Sequence, residues 1–352
     1  MDLTTRYLGL ELSNPLIASA GPLTGELDNI RRLEDAGAGA VVMPSIFEEQ
    51  IEQEQDLINE FTMAGVDSFP EALTYFPAQA TYAMDPQHYV DLVRRAVEAV
   101  DIPVVASLNG ITNHGWTDFA RQLQEAGASA IELNIYFIPS DLSLSGAEVE
   151  QRYIDILKAV KEVVSCPVAV KIGPYFSAVG HMAHRLDQAG ADGLVLFNRF
   201  YQPDIDLGEL ALVSNIELSQ PYEIRLPLLW IGILSGRINA SLAASTGVQG
   251  VDEVVKYLLA GADVVMTTSS LLRQGVGHVR QILDGLEAWL TARELETLET
   301  IRGRMSHRNI DDPTAFERAN YIKMLQGYRS TATTTSSDSN SNPISRQRSY
   351  HE

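Results

Sequence analysis

The hydrophobic pattern of the chain repeats one short phrase four times. Each copy contains the end of a predicted amphipathic helix, then a glycine and then an apolar segment. The copies lie at residues 33–42, 123–132, 186–195 and 259–265. A glycine suits the left-handed conformation that ends many helices, and the four glycines are Gly37, Gly127, Gly190 and Gly261. Helix followed by strand in this way predicts βα units and a parallel sheet.

Eight apolar runs have the length and character of buried strands. We place them at residues 16–20, 40–44, 104–108, 130–135, 168–171, 194–198, within 228–246, and at 264–268. The seventh is ambiguous, because two apolar runs, 228–234 and 240–244, compete for it. Eight parallel strands close into a barrel, and no G-x-G-x-x-G fingerprint of a doubly wound sheet follows the first strand. The sequence therefore predicts the α/β class and a (β/α)8 TIM barrel.

Two stretches of the chain fall outside the repeat. Residues 48–86 are acidic and aromatic and join the second strand to the next helix, so we expect an insertion that covers a site on the barrel. Residues 330–352 are polar and of low complexity, which predicts a disordered tail without chemistry. The domain prediction is one barrel over residues 1–329, followed by this tail.

Lys171 ends the predicted strand at 168–171, directly before an Ile-Gly-Pro turn. A lysine is seldom buried without a partner, and the carboxyl ends of barrel strands are where such barrels keep their chemistry. A lysine that extends from the strand end into solvent is the alternative interpretation. From its position we interpret Lys171 as a functional residue.

Composition restricts the partners of the protein. Of 352 residues, 45% are hydrophobic and 20% are charged, as in ordinary globular proteins, and the net charge is −20. That charge argues against nucleic acid or an anionic membrane surface as a partner. Cys166 is the only cysteine, which excludes an internal disulfide and fits a reducing cytoplasm. We find no secretory hydrophobic region and no apolar run of membrane-spanning length, so we expect neither export nor a membrane span.

Polar residues and a glycine stand at the carboxyl ends of the predicted strands, where a barrel brings them together. They are Ser45, Ser107, Asn109, Glu132, Asn134, Lys171, Asn198, Gly247, Thr268 and Ser269. Loops after the seventh and eighth strands, with a helix start, are where barrels hold a phosphate by backbone N–H groups and the helix dipole. Ordinary turn chemistry explains each serine or glycine taken alone. Taken with the lysine and the asparagines, the set favours a phosphate site.

A lysine, several asparagines and a phosphate site together suit flavin mononucleotide (FMN). Lys171 would face the pyrimidine edge of the flavin ring and stabilise the negative charge of the reduced flavin. The same lysine could instead form an imine, as in aldolase-type barrels. No Cys/His cluster has zinc or iron–sulfur spacing, so we expect no metal.

Four segments resemble the class 1 dihydroorotate dehydrogenase family: Asn14-Pro15 with Ala18-Ser-Ala-Gly21, Glu132-Leu-Asn134, Val170-Lys171, and Ala260-Gly-Ala-Asp-Val-Val265. The resemblance extends from about residue 3 to residue 275. It implies a barrel with FMN on its carboxyl face, the oxidation of dihydroorotate to orotate in pyrimidine biosynthesis, and a homodimer. It also implies flavin contacts from Ala20, Gly21, Ser45, Asn134, Lys171, Asn198, Gly247 and Ser269. Of these, Asn134 and Asn198 match asparagines that also touch the substrate.

The substrate side departs from the family pattern. Where the family has its catalytic cysteine, this chain has Phe137, or Ile138 if one residue is inserted, and neither side chain accepts a proton. Ser140 lies close enough in sequence to be a replacement base, and Pro44 stands where the family has a lysine. The predicted catalytic set is therefore Lys171, Ser140, Asn134 and Asn198.

The phosphate side departs from the pattern as well. A double glycine of the family is replaced by Ser235-Gly236-Arg237. We assign Gly236 to the phosphate and expect Arg237 to add positive charge there. Asn109 and Thr268 complete the predicted flavin contacts, because each of them ends a strand.

Three functions stay open on the sequence. The first is an FMN-dependent oxidoreductase that acts on dihydroorotate or a related dihydro-heterocycle through a rebuilt substrate site. The second is an FMN-binding barrel with little turnover and a partner or regulatory role. The third is a flavin-free lyase or aldolase that forms an imine on Lys171. The residues and the resemblance together favour the first.

Overall fold

The computed structural model describes residues 1–48, 86–110, 116–200, 202–213, 217–317, 321–322 and 325–326. Nearly all of the predicted insertion at 48–86 and the whole predicted tail at 330–352 lie outside these residues. The described part of Met1–Asp311 forms one compact unit. After it, a short 3-10 helix, Pro313–Phe316, begins where the Asp312 carboxylate accepts a hydrogen bond from the Thr314 N–H at 3.1 Å. The predicted domain boundary at residue 329 stays a prediction.

Eight parallel strands close into a barrel in the described part of the chain, which confirms the predicted (β/α)8 fold. Around the barrel they are β3 (Leu16–Ala18), β4 (Ala40–Phe47), β5 (Val104–Asn109), β6 (Ala130–Asn134), β7 (Val168–Ile172), β8 (Gly193–Leu196), β11 (Ser241–Ala244) and β12 (Val264–Thr267). Two antiparallel hairpins lie outside this sheet: β1 (Thr5–Tyr7) with β2 (Leu10–Leu12), and β9 (Asp204–Asp206) with β10 (Ala211–Val213).

Helices separate the successive strands and pack around the barrel. They are α1 (Leu27–Asp35), α2 (Pro86–Ala99), α3 (Trp116–Glu125), α4 (Gly146–Val163), α5 (Val179–Gln188), α6 (Arg225–Leu234), α7 (Val251–Ala260), α8 (Ser269–Gln274) and α9 (His278–Thr291). Besides Pro313–Phe316, the described residues form three 3-10 helices, at Pro22–Gly25, Pro221–Ile224 and Leu298–Thr300. In α5 the buried residues Val179, Met182, Ala183 and Leu186 recur every three to four positions, as expected for one helix face against a sheet.

The structure resolves the ambiguity at the seventh strand. Residues 240–244 contain β11, whereas residues 228–234 belong to helix α6. An apolar run of this length has no clear period, so sequence alone does not separate a buried strand from a buried helix. Residues 235–237 therefore follow a helix and precede β11, which places them at the amino end of the barrel.

The β1–β2 hairpin packs against the amino end of the barrel. Tyr7, Leu8 and Leu12 lie among inward-facing barrel residues that include Ala130 and Ala169, whose small side chains leave room for them. The Leu8 N–H also donates to the hydroxyl of the first residue of β11 at 3.2 Å. Burying each large apolar side chain stabilises the fold by about 1.5–3 kcal/mol. The hairpin fills the amino end with packed side chains and leaves the carboxyl end for binding.

The four predicted helix stops all contain a glycine with positive φ, between 96° and 115°. At Gly261 the available space is a second requirement. A Cβ placed there would lie 2.1 Å from the Ser235 Oγ atom. Glycine is therefore needed both for its backbone angle and for the close approach of α6 to the end of α7.

We predict that Gly261→Ala lowers the free energy of unfolding by about 3 kcal/mol, because it adds a steric clash to backbone strain. Gly9→Ala is the matched control, since its φ is +76° and none of the described residues has an atom within 4 Å of the added Cβ. We expect a loss of about 1 kcal/mol there. Urea unfolding followed by circular dichroism measures both. Equal losses of unfolding free energy in the two variants would contradict a steric clash between residue 261 and Ser235.

Candidate active site

A cavity of about 670 Å³ opens at the carboxyl ends of the strands and has the size of a small-ligand site. Seven of the residues predicted for the cofactor line it: Ala20, Gly21, Lys171, Asn198, Gly247, Thr268 and Ser269. Ser45 and Asn134 are connected to Asn198 by hydrogen bonds. Asn109 is buried at the end of β5, paired in register with Phe47 of β4, and does not line this cavity.

Lys171 and Glu132 form a buried ion pair beneath the cavity. The Lys171 Nζ atom is 3.5 Å from Glu132 Oε1, and the two residues are 8% and 0% exposed. Glu132 precedes Asn134 by two residues on β6, so both face the barrel interior, as Lys171 does on β7. The other carboxylate oxygen, Glu132 Oε2, has no hydrogen-bond partner among the described residues. Such a carboxylate depends on the ammonium, because an unpaired charge is costly to bury.

Tyr7 lies in the barrel interior on the other side of this pair from the cavity. Burial, and secondarily the negative charge of Glu132, raise the pKa of Tyr7 well above its ordinary value of 10.0. Its hydroxyl therefore stays protonated, and it also lacks a hydrogen-bond partner among the described residues. Glu132 thus has a positive group above it and a neutral phenol in the packed layer below.

A chain of hydrogen bonds crosses the ends of four strands. Ser45 Oγ lies 2.8 Å from Ser107 Oγ and accepts a hydrogen bond from Asn134 Nδ2 at 3.2 Å. Asn198 Nδ2 donates in turn to Asn134 Oδ1. The buried Tyr89 hydroxyl accepts from the Ser107 N–H at 3.0 Å and so fixes one end of the chain. The two asparagine amides are consequently held in set orientations beside Lys171.

The ends of the first and last barrel strands meet at Thr268. Its hydroxyl donates to the carbonyl of Ser19 at 3.1 Å. A Cβ on Gly21 would lie only 2.5 Å from Thr268 Cγ2, so the two segments approach closely because residue 21 is glycine. This contact places Ala20 and Gly21 in the wall of the cavity.

The wall near Gly247 and Ser269 includes a residue that the sequence did not identify. The Gly247 N–H donates to Ser219 Oγ at 3.2 Å, and Ser219 Oγ lies 2.9 Å from Ser269 Oγ. Ser219 belongs to the connection between β10 and α6, which carries no hydrophobic period that could have marked it.

Gly236 and Arg237 require a correction. Gly236 lines a different cavity, of about 330 Å³, together with Ser241 and Leu242 at the start of β11. The Arg237 Nη2 atom lies 2.6 Å from His307 Nδ1. Both residues follow a helix and so lie at the amino end of the barrel, away from the carboxyl ends of the strands. The structure therefore does not bring them to the carboxyl face, where the sequence analysis placed the phosphate.

Ser140 does not reach the large cavity in the structure. It is exposed, and its N–H donates to the carbonyl of Ile138 at 2.8 Å. Phe137 lies under the guanidinium of Arg152, 4.2 Å from it. Tyr136, which the sequence reasoning passed over, lines the cavity instead. The signal that could have found it is the two-residue period, since Tyr136 follows Asn134 by two positions.

The remaining features of the described residues concern metal ligands, membrane-spanning helices and the cysteine. Within the described ranges, no three His, Cys, Asp or Glu side chains come together as metal ligands. No helix among those residues combines the length and the apolar character needed to cross a membrane. Cys166 lies at the amino end of β7, opposite to Lys171, and burial raises the pKa of its thiol.

The closed barrel and its cavity define a (β/α)8 protein with a small-ligand site at the carboxyl ends of its strands, the arrangement that barrel enzymes use. The chain belongs to the dihydroorotate dehydrogenase family, because the family model described as dihydroorotate dehydrogenase matches residues 2–290. The resemblance found in the sequence is thereby confirmed, and it places the protein among oxidoreductases.

Relatives align with most of the chain at low identity. A protein of Pyrococcus abyssi named dihydroorotate dehydrogenase B (NAD(+)), catalytic subunit, is 27% identical over 308 residues, covering 86% of this chain and 98% of that protein. A protein of Methanothermobacter thermautotrophicus with the same name is 25% identical over 311 residues, covering 86% and 97%. A third, from Listeria welshimeri, is 31% identical over 175 residues, covering 48% and 57%.

We predict that Lys171→Met lowers the free energy of unfolding by about 3–5 kcal/mol, because it leaves the buried Glu132 carboxyl group without its partner in the barrel. Adding Glu132→Gln to that variant should recover much of the loss. Glu132→Gln alone should destabilise the protein less than Lys171→Met, because Lys171 can still reach the cavity. Urea unfolding of the wild type, the two single variants and the double variant measures the coupling energy between Lys171 and Glu132. Additive losses of unfolding free energy would contradict the pairing.

Proposed function

We propose that this protein is an FMN-dependent oxidoreductase of the dihydroorotate dehydrogenase family, with FMN in the large cavity. The observation that carries the proposal is the buried Lys171–Glu132 pair, in which a carboxylate holds an ammonium against a cavity of ligand size. Family membership supports the oxidoreductase chemistry. The groups around the cavity support the cofactor.

The donors and acceptors of the cavity fit FMN. A ring with carbonyl and N–H edges matches the Lys171 ammonium and the amides of Asn134 and Asn198. A phosphate matches the hydroxyl and N–H groups near Gly247 and Ser269. When bound, FMN supplies the acceptor of a hydride from the substrate. The protein residues hold and orient the reactants and stabilise charge.

In the proposed mechanism, Lys171 presents positive charge where negative charge develops on the reduced flavin. Glu132 fixes the position of that ammonium from below.

We propose dihydroorotate or a related dihydro-heterocycle as the substrate. Asn134 and Asn198 would hydrogen-bond to its carbonyl and N–H groups. Tyr136 and Phe200, with ring centroids 4.5 Å apart, form an apolar wall of the cavity that suits a flat ring. Because Phe137 replaces the catalytic cysteine of the family pattern, we expect a related heterocycle to be preferred over dihydroorotate itself.

Two parts of the proposal rest on the resemblance and the composition: the protein acts in the cytoplasm and assembles as a homodimer. The net charge of −20 and the single cysteine are compatible with that location. Light scattering of the purified full-length chain tests the assembly, and a mass equal to one chain would contradict the homodimer.

The absorption spectrum of the purified full-length protein tests the cofactor. We expect flavin bands, release of FMN on unfolding, and anaerobic bleaching of the bands when dihydroorotate or a related dihydro-heterocycle is added in a stopped-flow instrument. A yellow protein that no such compound reduces would favour the FMN-binding barrel with little turnover. A colourless protein that borohydride couples to a carbonyl compound would favour the imine lyase.

We predict that Lys171→Met slows flavin reduction by about 100-fold, because it removes the charge that stabilises the reduced flavin. Lys161→Met is the matched control: its ammonium pairs with Asp192 at 2.7 Å, at the amino ends of β7 and β8. We expect no change in the rate there. Rates are normalised to bound FMN. A normal rate in Lys171→Met would contradict the proposed role of the lysine.

A further inference from the structure

Several hydrogen-bond donors converge on the segment 217–220 at the edge of the large cavity. Ser219 is buried there, with its hydroxyl between the Gly247 N–H and the Ser269 hydroxyl. Gln249 Nε2 donates to the Ser219 carbonyl at 3.0 Å and to Ser269 Oγ at 2.7 Å. These contacts join three segments of the chain: residues 217–220, the loop after β11 and the start of α8.

Arg273, near the end of α8, is the cation of this group. Its Nη1 atom donates to the Ser219 carbonyl at 2.8 Å and to Gln249 Oε1 at 2.7 Å, and Nη2 donates to the Leu218 carbonyl at 2.8 Å. A guanidinium has five N–H donors, and three of them make these contacts with described residues. Two donors remain, and the exposed Arg273 side chain adjoins the wall of the cavity through its contact with Ser219, which lines it.

The start of helix α7 is less available to an anion than the sequence suggested. The Glu253 carboxylate accepts from the Gly250 N–H at 3.0 Å and from the Gln249 N–H at 3.4 Å. Glu253 is itself buried, so its negative charge is poorly screened by water. Backbone N–H groups that would attract a phosphate are thus used by a carboxylate of the chain. A phosphate bound here gains from a positive side chain nearby.

We propose that Arg273 neutralises the phosphate of the flavin, beside the hydroxyl of Ser269. This inference rests on the proposed function. It assigns to Arg273 the charge that the sequence placed on Arg237, which lies at the amino end of the barrel. Under this proposal Arg273 recognises the phosphate of FMN and not its ring.

A purely structural role for Arg273 makes a different prediction. If the guanidinium only fastens the carbonyls of Leu218 and Ser219, its loss weakens the binding of every flavin to the same extent. If it contacts the phosphate, its loss weakens FMN and leaves riboflavin, which has the same ring and no phosphate, nearly unchanged. The ratio of the two dissociation constants therefore separates the roles.

The experiment titrates flavin-free, full-length protein with FMN and with riboflavin, followed by quenching of flavin fluorescence. We expect Arg273→Gln to weaken FMN by roughly 10- to 100-fold, the loss of a charge-assisted contact, and riboflavin by less than about twofold. Arg237→Gln, at the amino end of the barrel, should leave both constants unchanged. Arg273→Lys, which keeps the charge without the fork, should fall between the wild type and Arg273→Gln.

Each outcome bears on the proposal. Equal weakening of FMN and riboflavin in Arg273→Gln, or no weakening of either, would overturn the role of Arg273 and leave the FMN proposal standing. A wild-type protein that binds neither flavin would overturn the FMN proposal and this inference with it. Circular dichroism of each variant establishes that it is folded before the titration.

Discussion

The pairing of Lys171 with Glu132 inside the barrel is the interaction on which the site depends. Taking two charges out of water is costly, and their attraction offsets that cost only while they stay together, so the register that places Asn134 beside Lys171 has to hold. Below the pair, Tyr7 and small inward-facing side chains fill the barrel. Above it, amides and hydroxyls surround an open cavity. The pair therefore marks the boundary between the packed half of the barrel and the half that can bind a ligand.

The fold follows from local signals that the chain repeats. Each glycine after a helical period has the positive φ that the pattern implies, and the apolar runs after them are barrel strands. The signal failed where residues 228–234 are apolar without a period, because burial on all sides removes the difference between helix and strand. That one uncertainty also misplaced Gly236, since the face of the barrel that a loop reaches depends on the element before it.

The sequence could predict only those site residues that the topology of a barrel brings together. Lys171, Asn198, Gly247 and Ser269 end strands or begin the loops after them, and the barrel collects such positions on one face. Their partners were not predictable, because Ser219 and Arg273 meet across 54 residues of sequence through contacts that no pattern encodes. Ser140 illustrates the converse: it is near Asn134 in sequence, but the segment between them directs it to the surface.

The β1–β2 hairpin fills the amino end of the barrel. It therefore affects the order in which molecules enter and leave at the opposite end. With Tyr7, Leu8 and Leu12 filling that end, molecules exchange with the described cavity through its carboxyl rim. If the proposed flavin occupies the cavity floor, the electron donor and the electron acceptor both reach it through this rim. A shared entrance of this kind suits a two-stroke, ping-pong cycle, in which the oxidised product departs before the acceptor arrives.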